Sequence, residues 1–385
     1  MATFNFKELD KTYEHFTDPI VIVKINGKDF AENKHSLVIS DLVIDVSSGY
    51  EAGMASFVIY NSYDLDNSYF RINEVKDYVC MGSTVIIYAG YKNTAREVFR
   101  GFISQVDFFF YTSSAPGVRV SVMDIKGLMM SGAYSKQLKA QNYADAVKEI
   151  LRRTNYEKLH PGDKDGMITN LKIDDTPDKK TEASSGDGED VTDYSMEMVD
   201  ESDYEFVVRA AKKFNYEFFS LGGIVFFRKA RSLSEILIEL GPGTGTKSLE
   251  IGYDLTGQVE SVEVRGLDVG KGKQISAKKK LGNKLSRGNK AKGLISGSQK
   301  IYIDPTVKSK NDATYRAEYL SQEIAYRLGI LHMELVGMPE LVPGRFIQVT
   351  GIGEEKNKFY ITRVTHTMQT NFGFNTKIEA RACSV

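Results

Sequence analysis

The chain has 385 residues, of which 42% are hydrophobic and 26% are charged, a balance typical of a soluble globular protein with two or three domains. Its formal net charge of −1 argues against a whole-molecule charge field that would attract nucleic acid or membrane. The only two cysteines, Cys80 and Cys383, argue against a disulfide scaffold and favour synthesis in a reducing cytosol.

The start of the chain carries no visible targeting signal. The first ten residues lack the basic start and the apolar core of a signal peptide. No apolar run reaches the roughly 18 residues that a membrane helix requires. We therefore expect a protein that is made without a signal peptide and that does not insert into a membrane.

Short strands dominate the sequence from about Pro19 to Val122. An Asn26-Gly27 pair follows the first apolar run, and Asn-Gly is a strong signal for a tight hairpin. Almost no helical stretch separates the later strands, so this segment predicts an antiparallel barrel or sandwich. The alternating runs that support it are 37–40, 42–46, 55–60, 84–90, 97–106 and 118–122.

Helical periodicity first appears after about Ser135. Residues 143–153 and 203–214 each place apolar side chains on one helical face, and Ser202 or Asp203 can cap the second helix. A hairpin with its turn at Gly222-Gly223 should follow. Between the helices, the polar and acidic stretch 174–200 predicts a mobile loop.

A second strand-rich segment opens near Ser248. Within it, the run Lys271–Lys292 carries nine basic residues and no acidic one. Because the run has few large apolar side chains, it predicts an exposed basic arm that contributes almost nothing to a core.

The end of the chain predicts one helix and three strands. The helix spans residues 313–328 and turns Tyr319, Leu320, Ile324 and Leu328 inward. Three period-two strands follow a Pro/Gly turn and are separated by turn residues at 351–353 and 371–373.

The candidate chemical motifs are weak. In the glycine-rich stretch 241–248, Thr246 separates Gly245 from Lys247, whereas a phosphate-binding loop needs Gly directly before Lys. The five histidines are scattered without metal-ligand spacing, and His366, within a strand, is expected to be structural or interfacial. The densest carboxylates lie in the predicted acidic loop, where water would keep their pKa values near normal. We therefore expect no catalytic, cofactor-binding or metal-binding residue.

Four short motifs resemble the late control protein D family and occur in that family's order. That family includes the baseplate hubs of contractile phage tails and the hub half of the type VI secretion spike. The motifs are the helix and hairpin from Asp203 to Phe226, the lead-in Leu255–Val259 before a strand that ends in Arg265-Gly266, the turn Pro339–Gly344, and the strand Tyr360–His366.

The resemblance implies a mainly β (α+β) fold with two antiparallel β-barrel-like tube domains and α/β insertions. We expect the first barrel-like domain over residues 1–135. An α/β insertion domain with the acidic loop 174–200 should span 136–235. The second barrel-like domain, with the basic arm 271–292 and the helix 313–328, should span 236–385.

In that family the two barrel-like domains of a subunit are alike in shape, so three subunits form a ring with pseudo-sixfold symmetry. Such a ring joins a sixfold tail tube to a threefold spike. The resemblance therefore implies a structural baseplate hub and not an enzyme, made in the bacterial cytoplasm and built into a phage tail or a similar particle. Its implied partners are further copies of itself, the tail tube protein, the spike protein and other baseplate subunits, without specific nucleic acid.

Two alternative functions stay open at this stage. One is a cell-wall hydrolase of the tail tip, which would need a cleft with perturbed carboxylates. The other is a nucleic-acid binder that uses the basic arm through counterion release. For the hub, contacts with neighbours should lie on turns and arms, and the candidate interface residues are Asn26, Gly27, Lys278, Lys279, Lys280, Pro343 and Gly344.

Overall fold

The computed structural model describes residues 3–153, 156, 166–177, 196–268, 271–285, 289–352, 357–369 and 373–384. Strands outnumber helices throughout this part of the chain, which confirms the mainly β, α+β class.

The N-terminal segment is almost entirely strand, as its alternating runs predict. Short 3-10 turns lie at Glu14–Phe16 and Phe30–Glu32. The elements are α1 (Phe6–Thr12), β1 (Pro19–Ile25), β2 (Lys28–Asp29), β3 (Val38–Ser47), β4 (Met54–Tyr60), β5 (Tyr63–Asp64), β6 (Tyr69–Phe70), α2 (Ile72–Lys76), β7 (Thr84–Tyr91), β8 (Thr94–Tyr111) and β9 (Ser114–Met123).

The middle segment mixes helices and strands, and the C-terminal segment returns to strands. The middle elements are α3 (Ile125–Met129), β10 (Tyr134–Leu138), α4 (Tyr143–Leu151), β11 (Asn170–Ile173), β12 (Met196–Glu201), α5 (Asp203–Phe214), β13 (Tyr216–Leu221) and β14 (Ile224–Lys229). The last are β15 (Ile236–Leu240), β16 (Thr246–Tyr253), β17 (Ser261–Asp268), β18 (Lys273–Lys280), α6 (Asn289–Ile295), β19 (Gln299–Ile303), α7 (Lys310–Ala325), β20 (Gly329–Val336), β21 (Phe346–Val349), β22 (Asn357–Gln369) and β23 (Gly373–Ala382).

One 13-stranded sheet contains strands from both ends of the chain, in the order β16-β20-β23-β22-β3-β4-β9-β8-β7-β1-β2, with β15 and β21 attached through β22. The antiparallel pairing of β22 with β3 joins the two ends, with Val364 opposite Val46. The two strand-rich segments predicted from the sequence are therefore halves of one continuous sheet that share a buried core.

The two halves have the same strand order. In the first half the order is β1-β7-β8-β9-β4-β3, and in the second half it is β15-β21-β22-β23-β20-β16. The short strands β2, β5 and β6 and the insertion strands β17–β19 are left out of this comparison. When the remaining six strands of each half are numbered along the chain, they lie in the sheet in the order 1-4-5-6-3-2 in both halves. The halves differ at one pairing, since β1 is antiparallel to β7 while β15 is parallel to β21.

Between the halves, an α/β unit packs around its own apolar core. Helices α4 and α5 contribute buried residues such as Val147 and Phe206 to this core. Helix α5 begins and ends at the predicted residues. Ser202 and Glu205 form a capping box at its start, and Asn215, in the left-handed conformation with a φ of 58°, ends it. The Gly222-Gly223 turn joins β13 to β14 as a hairpin.

The predicted mobile loop 174–200 is wrong at its C-terminal end. Residues 196–200 belong to strand β12, whose Met196 and Met198 side chains are buried against the insertion core. Alternation of these methionines with polar residues, the period of a half-buried strand, outweighs the acidic composition. Residues 178–195 of that loop lie outside the described residues.

The prediction of an exposed basic arm over residues 271–292 is also wrong in part. Residues 273–280 form strand β18, which pairs along its whole length with β17 in a separate three-stranded sheet. Ile275 and Ala277 pack against a third core beneath helix α7, and Leu281 is buried in it. The lysines are exposed as predicted, but the segment contributes to a core, so removing it would disturb this sheet.

The helix predicted at 313–328 is α7, which begins and ends three residues earlier, at Lys310 and Ala325. Ser309 and Asp312 form a capping box that fixes its start. Ile324 and Leu328 are buried as expected, whereas Tyr319 and Leu320 are only half-buried. Together with β17, β18 and β19, this helix forms a second insertion within the C-terminal half.

The Pro343-Gly344 turn is a buried joint between the sheet and the first insertion. Gly344 has a φ of +78°, and a Cβ added there would lie 2.6 Å from Arg228 Nη2 and 2.8 Å from Phe219 Cζ. Its carbonyl oxygen accepts a hydrogen bond of 2.6 Å from Arg228 Nη2. Only glycine combines this backbone conformation with such a close approach.

We predict that Gly344→Ala destabilises the protein by about 1–3 kcal/mol more than Gly257→Ala, as measured by urea unfolding. Gly257 is the matched control, because its φ is also +78° but no atom lies within 4 Å of an added Cβ. Both variants carry the left-handed strain, and only the first carries the clash. Equal losses of stability would show that Arg228 and Phe219 relax away from this turn.

Candidate functional site: a polar cleft and the assembly surfaces

A polar cavity of about 540 Å³ lies where the main sheet and both insertions meet. Its walls are the end of β3, strands β22 and β23, the first residues of β13, and helix α7. The side chains that line it are mostly polar or aromatic: Tyr50, Glu51, Tyr216, Glu217, Arg231, Tyr319, Glu323, Tyr326, Arg327, Tyr360, Arg363, Glu379 and Arg381.

Glu217 is the most enclosed carboxylate of this cleft. Arg228, directly opposite on the hairpin, donates from Nε to Glu217 Oε2 at 3.1 Å. The Arg231 backbone N–H donates to Oε1 at 3.3 Å, and the Tyr360 hydroxyl donates to the same oxygen. Burial raises the pKa of Glu217, and the positive charge of Arg228 opposes that rise.

Arg231 connects the hairpin to helix α7. Its guanidinium contacts Gln322 Oε1 at 3.2 Å and Glu323 Oε1 at 3.3 Å. The same group lies 4.1 Å from the ring centre of Tyr326, a cation–π contact. Glu217 and Arg231 thus bind the first insertion to the main sheet and to the second insertion.

The cleft has the chemistry of a structural joint. Both carboxylate oxygens of Glu217 already accept hydrogen bonds from protein groups, so the buried charge is compensated. A general acid would need its proton directed at a substrate. Sequence analysis missed Glu217, although the Gly222-Gly223 turn sets the hairpin register that places it opposite Arg228.

His366 lies on β22 at the pairing with β3. Its Nδ1 is 2.9 Å from Thr376 Oγ1, and the side chain is buried. Burial lowers the pKa of His366 to about 4, so the imidazole is neutral near pH 7. This environment suits a packed structural residue of the junction.

The described residues contain no group of three histidine, cysteine or carboxylate side chains placed to hold a metal ion. In the same part of the chain, no helix is long and apolar enough to cross a membrane.

The predicted interface residues fall into three places. Asn26 and Gly27 form the tight turn between β1 and β2, with φ values of 50° and 78°, and the Asn26 side chain binds back to Ser83 and Thr84. Lys278, Lys279 and Lys280 lie exposed on β18, at the edge of the small sheet, far along the chain from that turn.

Pro343 and Gly344 are buried inside the chain. Buried residues offer no surface to another subunit, because the Pro/Gly turn that the sequence signals is covered by Arg228 and Phe219. The Pro343-Gly344 turn is therefore a packing contact within the chain.

Sequence analysis missed a group of exposed aromatic side chains near the tip of the β8–β9 hairpin. Phe108 and Phe110 are 39% and 53% exposed. Their rings lie 5.4 Å from that of Phe70 and 5.3 Å from that of Tyr63, respectively, on the neighbouring β5–β6 hairpin. An exposed apolar group of this kind marks a contact surface more often than a solvated one.

Comparisons with known proteins show which class of fold this is. No protein-family model matches the chain, and no curated protein sequence matches it. Solved structures of phage tail proteins, in contrast, share its architecture over almost the whole length.

Three solved structures show this shared architecture. A tail protein from Neisseria meningitidis MC58 shares 13% identity with a TM-score of 0.64, over 95% of this chain and 97% of the other. The 43 kDa tail protein of prophage MuSo2 from Shewanella oneidensis shares 11% identity with a TM-score of 0.65, over 94% and 98%. The E. coli c3393 protein, a component of the type VI secretion system, shares 12% identity with a TM-score of 0.53, over 93% and 76%. The chain therefore has the fold of phage tail proteins and of this secretion component.

We predict that Glu217→Gln lowers the free energy of unfolding by about 3 kcal/mol, because it leaves the buried Arg228 without its counter-charge. Glu263→Gln is the matched control. Glu263 pairs with Arg265 on the outer face of the small sheet, where water can solvate the arginine, so we expect little change. Thermal and urea unfolding of both variants measure the difference. Equal effects would contradict the structural role of the cleft.

Proposed function

We propose that the protein is the structural hub of a contractile tail or a related injection system. In this role three copies form a ring that joins a sixfold tail tube to a threefold spike. The observation that carries the proposal is the repeated strand order of the two halves. Three chains with two similar halves present six similar units around a threefold axis, which is what such a joint needs.

The fold supports the same function. The structures that share it at full length are phage tail proteins, and the type VI secretion component shares it over most of its own length. We further propose that the chain is made in the bacterial cytoplasm and that its neighbours in the particle are a tail tube protein, a spike protein and other baseplate subunits. The Asn26-Gly27 turn and the Lys278–Lys280 strand are the surfaces proposed to contact these neighbours.

A second candidate, a tail-tip hydrolase, draws on one observation, the buried carboxylate of Glu217 in a polar cleft. Both carboxylate oxygens of Glu217 already accept hydrogen bonds from protein groups, which favours the structural role. A peptidoglycan clearing assay distinguishes the two functions. Clearing that is lost in Glu217→Gln under conditions where that variant stays folded would favour the hydrolase.

We expect the purified chain to form particles of three times its own mass, measured by light scattering coupled to size exclusion at micromolar concentration. A contact in which one surface patch binds a different patch on the next copy gives a closed ring when the rotation between copies closes, here after three copies. If the chain alone is monomeric, mixing with the tube and spike proteins of the same particle should drive assembly. A chain that stays monomeric in both experiments contradicts the hub function.

A further inference from the structure

Among the described residues, β8 and β16 are two of the main-sheet strands that have a partner strand on one side only over part or all of their length. β7 pairs with β8 only up to Phe102, and the rest of β8, to Tyr111, has β9 on one side and no strand on the other. β16 pairs with β20 and with no other strand. Open edges with exposed apolar side chains are sites where another strand can add.

The open part of β8 corresponds to a paired part of β22. In the β8–β9 pair the register shifts between Ile103 and Gln105, and in the β22–β23 pair it shifts between Ile361 and Arg363. The residue skipped at each bulge carries a hydroxyl that binds a carbonyl of the partner strand. Ser104 Oγ donates to Ser121 O at 3.2 Å, and Thr362 Oγ1 donates to Glu379 O at 3.0 Å.

The local sequences also match. Phe102-Ile103-Ser104-Gln105-Val106 and Tyr360-Ile361-Thr362-Arg363-Val364 have similar residues at four of five positions. Beyond the bulge, β22 continues as Arg363–Met368 and pairs with β3. In the first half, the part of β8 beyond its bulge corresponds to this part of β22. Among the described residues, no strand of the same chain pairs with it in the way that β3 pairs with β22.

The open edge of β16 corresponds to the edge that β3 offers to β22. Both are the second strand of their half, and both pair with the third strand, β4 or β20. Ile44 is opposite Ala55 in the first half, and Ile251 is opposite Leu331 in the second. Ala55 and Leu331 are themselves equivalent, since they face Val122 and Ala380 at matching positions of β9 and β23.

We propose that the open edge of β8 in one copy pairs, antiparallel, with the open edge of β16 in the next copy, repeating between chains the β22–β3 pairing made within each chain. This inference rests on the proposed function, because it assigns the subunit interface of the ring. The occupant of each edge is a second copy of this chain. It is argued from the internal repeat, in which the same two kinds of strand already pair.

The similarity of the two halves also predicts which residues of β8 and β16 lie opposite each other. His366 is opposite Ile44 and Met368 is opposite Leu42 within the chain. The corresponding pairs between chains place Phe108 opposite Ile251 and Phe110 opposite Leu249.

These cross-strand pairs are chemically well matched. The half-buried Leu249 and Ile251 already pack against the main core, and the exposed rings of Phe108 and Phe110 would extend that apolar surface. On the opposite face, Phe109 comes opposite Glu250, and Asp107 comes opposite Gly252. The pairing covers the aromatic surface that the isolated chain exposes.

The proposed contact is compatible with a closed ring. β8 and β16 are different patches, so each copy uses one edge toward each neighbour, a head-to-tail contact. Within the chain the same kind of pairing relates the two halves. The β22–β3 pairing within each chain and the β8–β16 pairing between chains would then alternate. In the resulting ring, first halves and second halves of the chains also alternate.

Disulfide trapping tests the pairing and its register. Starting from a chain with Cys80 and Cys383 replaced by serine, Phe109→Cys and Glu250→Cys are combined in one protein. Thr367→Cys with Val43→Cys is the positive control, because these residues are opposite each other within the chain and correspond to the tested pair. Phe109→Cys with Ser248→Cys is the negative control, since it keeps the face of the strand and shifts the register by two residues.

Under mild oxidation, we expect the tested pair to give covalent dimers and trimers on a non-reducing gel, at least fivefold above the shifted pair. The positive control should give only an internal disulfide. An oligomeric chain whose tested pair cross-links no more than the shifted pair overturns the edge pairing and leaves the hub function intact. A chain that is monomeric, alone and with its tube and spike proteins, and gives no cross-link overturns both.

A pair of single variants provides a readout that does not depend on cysteine chemistry. Phe110→Lys places a charge on the open edge of β8, and Leu294→Lys places one on helix α6, at a side chain that is 78% exposed. Both side chains are more than half exposed, so both variants should fold. Thermal unfolding of each variant checks this, because Phe110 also contacts the ring of Tyr63. We expect at least a tenfold weaker assembly for Phe110→Lys only. Equal assembly of the two variants would contradict the proposed interface.

Discussion

The backbone pairing between β3 and the last part of β22 is the contact on which the rest of the molecule depends. It joins residues more than three hundred positions apart, such as Val46 and Val364, and turns two half-sheets into one. The bulge after Ile361 makes this possible. The first part of β22 pairs with β21, and after the bulge the strand pairs with β3, because a bulge bends and twists its strand. The buried, neutral imidazole of His366 lies in this junction.

The polar cleft holds the two insertions against the main sheet. Glu217 and Arg231 hold both insertions against β22, close to the bulge. The insertions also contact each other directly, through the rings of Phe214 and Tyr315, whose centres lie 5.3 Å apart, and the Lys213–Asp312 ion pair at 2.9 Å. Buried ion pairs such as Glu217–Arg228 resist separation, because a single free charge in the interior is costly.

Much of the fold could be predicted from the sequence, because its signals are local. Alternation identified the strands, the Asn26-Gly27 turn set a two-residue hairpin, and helix α5 begins where its capping box specifies. The basic segment 271–292 was misjudged because an exposed edge strand buries only small or single apolar residues, here Ile275 and Ala277, which composition does not reveal.

The site was harder to predict, since it depends on contacts between distant segments. A Pro/Gly turn signals its own conformation but not what covers it, so Gly344 was taken as a surface residue. The repeat between the halves is even less visible, because the similar stretch is only five residues long, from Phe102 to Val106 and from Tyr360 to Val364. The two halves are equivalent by a shared strand order and a shared bulge position, which become visible only in the folded structure.

The most direct test of the account is electron microscopy of the assembled protein viewed along its ring axis. Averaged end-on images should show six similar lobes with true threefold symmetry, in which continuous β-sheet crosses from the first half of one chain to the second half of the next. A twofold or open assembly, or a threefold ring whose subunits meet through the insertions while β8 and β16 stay unpaired, would contradict it.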